Sequence, residues 1–172
     1  MKATHPWVVG IVLLSVFVGT GCRVVSRPDV IVTLDAMNAG VYPTVEVHVI
    51  GVNNDAEFRR LNQVDLSTNY NWVREGQNAR TYVMKFDNDS EHTQTLKAND
   101  PVWKTWDGPK QLFIIASFPP ADSPDGDRDG AADPRRLVLP LKWNSWVGKD
   151  IPISIQQTGL VCQEGYKPWN PF

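Results

Sequence analysis

Between Pro119 and Pro134 the sequence runs Asp125-Gly126-Asp127-Arg128-Asp129-Gly130-Ala131-Ala132-Asp133, with carboxylates at every second position from 125 to 129 and again at 133. Side chains at that spacing point inward when the chain curls around a hard cation, and calcium takes oxygen ligands of this kind. Gly130 follows as the residue that permits a sharp turn, Ala131 offers a carbonyl, and Asp133 stands where a water-mediated ligand belongs. The twelfth position of such a loop calls for a bidentate Glu, and here it is Arg136. Without that carboxylate, calcium held by Asp125, Asp127, Asp129 and Asp133 belongs at the weak end of the range, with a Kd of about 10⁻⁴ to 10⁻³ M. The competing reading is a solvated acidic loop made of residues that turns prefer. Calcium is the one cofactor the sequence suggests.

Catalysis has no comparable signature. His5 lies in the apolar start of the chain; His48 falls in a strand pattern on its polar face, and His92 in a polar segment with Asp87, Asp89 and Glu91. There is no G-x-S-x-G elbow, no H-E-x-x-H helix and no Gly-rich phosphate loop. The sequence therefore reads as a binding or assembly protein rather than an enzyme. A formal net charge of −2 without a basic stripe lacks the electrostatic footprint of nucleic-acid binding. Tryptophan is the remaining oddity, with seven in the chain. Trp103-Lys104-Thr105-Trp106 and Trp143-Asn144-Ser145-Trp146 share the spacing W-x-x-W. An exposed pair of that kind offers a platform for a sugar or a protein. Core packing is the reading favoured by the usual burial of so large a side chain.

The first twenty-one residues carry a different chemistry. Lys2 is their only charged side chain, and residues 7–21 are an uncharged, mostly apolar run. As a helix those residues span roughly 22 Å, short of a bilayer core of roughly 30 Å. A charged start, an apolar centre and a small-residue end mark a secretory signal. That end, Gly19-Thr20-Gly21-Cys22, resembles the bacterial lipobox, with Gly19 where Leu is usual. The resemblance implies cleavage before Cys22 and acylation of that cysteine. Two or three acyl chains anchor a protein stably, where one does not. Arg23, rather than Asp, follows the cysteine and by the same resemblance directs the protein to the outer membrane. Cys162 then has no disulfide partner and reads as a small buried hydrophobe at a strand end.

Residues 30–34 are rich in β-branched side chains and predict a first strand. Residues 44–52 set Val45, Val47 and Val49 on one face with Glu46 and His48 on the other, the period of a strand with one buried face. Residues 80–86 alternate likewise through Tyr82, Met84 and Phe86, and 93–97, 137–141 and 151–155 supply further strands. The run 112–118 is the most apolar of the mature chain, as befits a central strand covered on both sides. Asp55 is placed to cap a short helix over 56–62 that lays Phe58 and Leu61 on the sheet. Asp100-Pro101 opens one helical turn. Seven or so short strands with little helix predict an all-β fold: one antiparallel β-sandwich, transthyretin-like or immunoglobulin-like, with one or two short helices. The expected organisation is a signal peptide over 1–21, a lipidated tether over 22–29, the sandwich over 30–164 and an extended tail over 165–172.

The lipid-bearing Cys22, the short tether, the stretch Pro43-Thr44-Val45-Glu46-Val47-His48-Val49, the Phe58-bearing insertion at 55–61 and the late apolar strand at 112–118 together resemble the outer-membrane lipoprotein of type VI secretion systems. The sequence departs from that family in lacking Tyr-Gln-Leu after the second strand and in carrying the acidic loop and the Trp pairs. The resemblance implies a lipoprotein on the periplasmic face of the outer membrane. It also implies that the loop joining the first two strands, 38–42, docks the periplasmic domain of an inner-membrane protein. Asn38 and Tyr42 are the contact candidates; a Tyr ring combines apolar area with a polar tip and suits a binding hot spot. The alternative is a calcium- or glycan-binding surface lipoprotein without catalytic activity.

Overall fold

Valine and isoleucine at alternate positions decide the architecture, because a strand with one apolar face must bury that face against another layer. The computed structural model describes residues 27–35, 42–66, 80–118, 133–141, 146 and 150–163. Their elements are β1 (Val30–Leu34), β2 (Val45–Val52), α1 (Asp55–Gln63), β3 (Thr81–Phe86), β4 (Thr93–Leu96), α2 (Val102–Thr105), β5 (Gln111–Ser117), β6 (Arg136–Pro140), β7 (Ile151–Gln156) and β8 (Gly159–Cys162). Two four-stranded sheets result, ordered β4-β1-β7-β8 and β3-β2-β5-β6. The expected sandwich is there, with two short helices. Its pairings are antiparallel except for β1 and β7, which run parallel from Val30↔Ile151 to Leu34↔Ile155.

The core lies between the sheets. Val30, Val32, Leu34, Leu96, Ile151, Ile153, Ile155 and Leu160 meet Val45, Val47, Val49, Met84, Phe86, Leu112, Ile114, Ala116 and Leu139. Trp103, Trp106 and Trp146 close one end of it, so the tryptophans among the described residues are core, not platform. Each indole N–H donates to a backbone carbonyl: Trp103 to Lys97 at 2.9 Å, Trp106 to Arg80 at 2.6 Å and Trp146 to Pro140 at 2.7 Å. That satisfies the polar edge of rings that are otherwise buried. Gly51 of β2 makes room for Trp106: a Cβ there would sit 2.3 Å from the indole Cδ2.

The opposite face of β2 and β5 is not open to water. Ile50, Val52, Leu61, Leu66, Phe113 and Ile115 form a second buried cluster, with Phe58 and Val64 of the α1 region packed on it. Phe58 meets Phe113 edge-on, with centroids 5.3 Å apart. The helix begins one residue earlier than its sequence suggests, because Asn54 rather than Asp55 is the cap, its Oδ1 accepting from Glu57 N at 2.8 Å. His48, expected on a solvated face, is only 2 % exposed because this sheet is covered on both sides. β5 is the interior, doubly covered strand its apolar run promised, buried from Leu112 through Ala116.

Strand register gives the sandwich two distinct ends. The chain enters β1 beside Ala98 and Ile151: Asp29 Oδ1 accepts from Ala98 N at 2.7 Å, and the Asp29 carbonyl accepts from Ile151 N at 2.8 Å. β1 leaves at the other end, where Leu34 N donates to the His92 carbonyl at 2.8 Å and Asp35 N to Ile155 O at 3.1 Å. The strand ends joined by the β1–β2, β3–β4, β5–β6 and β7–β8 connections all lie at that second end.

Candidate docking end of the sandwich

Tyr42 is the expected contact residue that can be placed, and it stands at the end opposite the chain's entry. Its ring stacks on His92 with centroids 3.6 Å apart and planes 22° from parallel. Tyr42 is half-buried and packs against the rim of the main core, and His92 is half-buried too. His92 is held by its own backbone, whose carbonyl receives the last β1 amide. The β1–β2 loop therefore returns to the sheet through an aromatic contact with the β3–β4 loop. Nothing in the spacing of Tyr42 and His92 along the chain announces that stack; only the pairing of β1 with β4 brings them together. Asn38 lies outside the described residues.

The loops at this end carry several carboxylates, and the exposed Lys85, just before the β3–β4 loop, is paired with Glu46. Asp35, Asp87, Asp89 and Glu91 occupy the neighbouring loops at least partly exposed, and no Lys or Arg stands among residues 86–92 or 156–159. The β3–β4 turn is built by its own side chains, with Asp87 N donating to Ser90 Oγ at 2.7 Å and Asp89 N to Asp87 Oδ1 at 3.0 Å. The β5–β6 connection leaves from this end after Phe118 and returns at Asp133. Asp125, Asp127 and Asp129 lie outside the described residues.

Asp133 is not a solvated loop carboxylate. It is 2 % exposed, and both of its oxygens are used within the chain. Oδ1 accepts from Arg135 N at 2.8 Å and Arg135 Nε at 2.9 Å, and Oδ2 accepts from Arg135 Nη2 at 2.6 Å. The bidentate carboxylate in turn raises the pKa of Arg135, holding its charge more firmly. Arg136, beside it, reaches across to the end of α1 and donates to the Asn62 carbonyl at 2.6 Å and to that of Val64. Burial lowers its pKa. Neither arginine was legible as a partner in the sequence: Arg135, in the turn before β6, folds back on Asp133, while Arg136, the first residue of β6, reaches α1. Nearby, Glu46 is held below its usual pKa by Lys85, whose Nζ lies 3.0 Å from Oε1, and its other oxygen is 3.5 Å from His48 Nε2. Among the described residues no three His, Cys, Asp or Glu side chains are grouped to hold a metal.

No protein-family model matches the chain, and no curated protein does. Solved structures with a similar chain path are found. They are components of type VI secretion. One is a chain of a type VI membrane complex, 14 % identical, covering 80 % of this chain and 97 % of its own, with a TM-score of 0.49. A second is Lip of Serratia marcescens, a membrane-bound component of the system, 16 % identical over 84 % of this chain and 100 % of its own, TM-score 0.48. A third is the lipoprotein TssJ1 of Pseudomonas aeruginosa, 14 % identical over 81 % and 99 %, TM-score 0.41. Cys22 and the leader lie outside the described residues, among which no helix is long and apolar enough to cross a membrane.

Proposed function

We propose that this chain is a lipid-anchored envelope protein, held through Cys22 on the periplasmic face of the outer membrane. There it serves as a docking lipoprotein of a secretion system, receiving the periplasmic domain of an inner-membrane protein. The observation that carries the reading is the polarity of the sandwich. The chain enters β1 at one end, and the β1–β2 loop, with Tyr42 stacked on His92, lies at the other. A lipid at Cys22 then holds the entry end at the membrane and turns the loop end toward the periplasm. Tyr42 itself is held by its stacked ring, which lowers the ordering cost of binding through that side chain.

A photo-crosslinking residue placed at Asn38 in intact cells tests this directly. Capture of one inner-membrane protein through its periplasmic domain is expected, and adducts confined to outer-membrane proteins or lipid would sink the reading. Tyr42→Ala should weaken the captured complex by on the order of 2 kcal/mol, about thirtyfold in affinity. Because Tyr42 also packs on His92 and the core rim, its loss is compared with Tyr42→Phe. The phenylalanine keeps the stack and isolates the hydroxyl.

A further inference from the structure

The two sheets present unlike outer faces. That of β2 and β5 is packed against the α1 region. In the other sheet Val30, Val32 and Leu34 of β1 and Ile151, Ile153 and Ile155 of β7 point into the core, so the residues between them point outward. Ile31, Thr33, Thr95, Pro152, Ser154 and Val161 make up most of that outer face, and no outward position of its four strands holds an Asp, Glu, Lys, Arg or His. A solvated sheet face is ordinarily polar. Here the hydroxyls are turned on their neighbours: Thr33 Oγ1 and Thr93 Oγ1 are 3.2 Å apart, and Ser154 Oγ accepts from Gln156 Nε2 at 3.1 Å. An apolar cover would therefore strand few polar atoms. Val161 stands exposed on this face. Neither helix among the described residues is spent there, since α1 serves the other sheet and Trp103 of α2 belongs to the main core.

We infer that the C-terminal segment 164–172 of this chain is the cover, lying across the outward side of β1, β7 and β8. β8 delivers it to the place: Gln163 N donates to the Pro152 carbonyl at 3.0 Å, so the residues that follow start beside Pro152. Gly165 permits the reversal that brings the chain back over the sheet. The remainder runs Tyr166-Lys167-Pro168-Trp169-Asn170-Pro171-Phe172, with an aromatic ring at every third position. A polyproline II helix has three residues per turn, which sets the three rings on one side and Lys167 and Asn170 on another. At ~3.1 Å per residue, 166–172 reach roughly 19 Å. Four strands ~4.8 Å apart are roughly 14 Å across, so the segment is long enough to cross them. Pro168 and Pro171 fix φ in advance and lower the ordering cost of docking. The rings then bury their apolar faces on Ile31, Pro152, Val161 and the threonine methyls. The segment starts at the end where the chain enters β1, opposite the docking loop, so this inference stands apart from the docking reading.

The test uses the mature chain with Cys22→Ser and Cys162→Ser, so that Thr33→Cys supplies the single thiol, and follows its rate of reaction with a maleimide. That rate is compared between the intact tail and a form with Tyr166→Ser, Trp169→Ser and Phe172→Ser. Loss of the rings is expected to speed labelling about tenfold, as for a cover that is open about a tenth of the time when intact. Val47→Cys, in place of Thr33→Cys, reports on the buried core and should stay slow in both forms. Equal rates at Thr33→Cys would mean that the tail does not cover the face. A matching rise at Val47→Cys would mean that the tail changes open the whole fold. Protection that fades on dilution would assign the cover to a second copy. Each of these three results overturns the proposal.

Discussion

At Gly51 the inner face of β2 lies directly under the Trp106 indole, and that contact makes a single methyl group expensive. Trp106 cannot slide away without giving up its 2.6 Å bond to the Arg80 carbonyl, and a Cβ would start 2.3 Å from its ring. Gly51→Ala is expected to cost about 1–3 kcal/mol, the usual range for overpacking a filled core; urea unfolding with an unchanged midpoint would refute the fit. Asp29 supplies a pH dependence. Its carboxyl is held below the usual value by the Ala98 amide first and by Lys97 second. A depressed folded pKa gives stability that is present above the unfolded value, about 3.9, and is lost as pH falls through the folded one. Melting temperature should therefore drop more steeply below about pH 4 in the wild type than in Asp29→Asn, and parallel acid limbs would show the bonds to be idle. Residue roles were the least legible part of the sequence. Asp133 has the spacing of a calcium ligand, yet its oxygens are spent on Arg135 two places away. A one-dimensional pattern of carboxylates carries no information about which way a neighbouring guanidinium folds. The Trp103–Trp106 spacing was readable, because an edge-to-face pair at 5.0 Å is what two rings one turn apart form when buried.

Among elements, the strands with β-branched alternation were legible nearly to the residue: β1 agrees at both ends, and β2, β5 and β7 to within a residue. β8 was not, because four residues beginning in a glycine at φ 121° offer no period to read. What forces that glycine is tertiary, a Cβ there lying 2.3 Å from the Pro134 carbonyl oxygen. The cap of α1 moved from Asp55 to Asn54 because both residue types cap well and the Asn can also donate to Glu57. The covering of the β2–β5 outer face was half legible: Phe58 and Leu61 announced a packed helix, but nothing local assigned Arg136 to its C-terminal carbonyls. Arg136→Met keeps apolar bulk and removes both donors. The expected loss is about 1–3 kcal/mol for part-buried carbonyls left without partners. Faster amide exchange should be concentrated in α1, while β1 and β7 stay protected. Uniform loss of protection across both sheets would mean that α1 and the sandwich open as one unit.

Across the whole molecule, the fold class follows from seven or eight short apolar strands, whereas the order β4-β1-β7-β8 and the parallel β1–β7 pair are long-range choices that no local pattern carries. The single strand β1 separates the entry of the chain from the β1–β2 connection, and in the proposed arrangement it separates the membrane from the docking end. The separation has a function only if residues 1–22 deliver an acylated cysteine, so the anchor is the decisive prediction at this scale. The described residues between 27 and 163 form a core of their own, and Asp29 pins the first strand through Ala98, Lys97 and Ile151. Cys22→Ser should therefore leave the exported domain folded, with an unchanged melting curve, while abolishing acylation. Two or more acyl chains hold a protein on a bilayer, and none leaves only the weak affinity of a charged, mostly polar sandwich surface. In detergent phase partition the wild type is expected in the detergent phase and Cys22→Ser, once its leader is processed by another peptidase, in the aqueous phase. A Cys22→Ser protein that stays in the detergent phase at its full, uncleaved mass would show the apolar run at 7–21 to be the anchor instead. The lipid at Cys22 would then be excluded, and the docking end would hang from a retained leader.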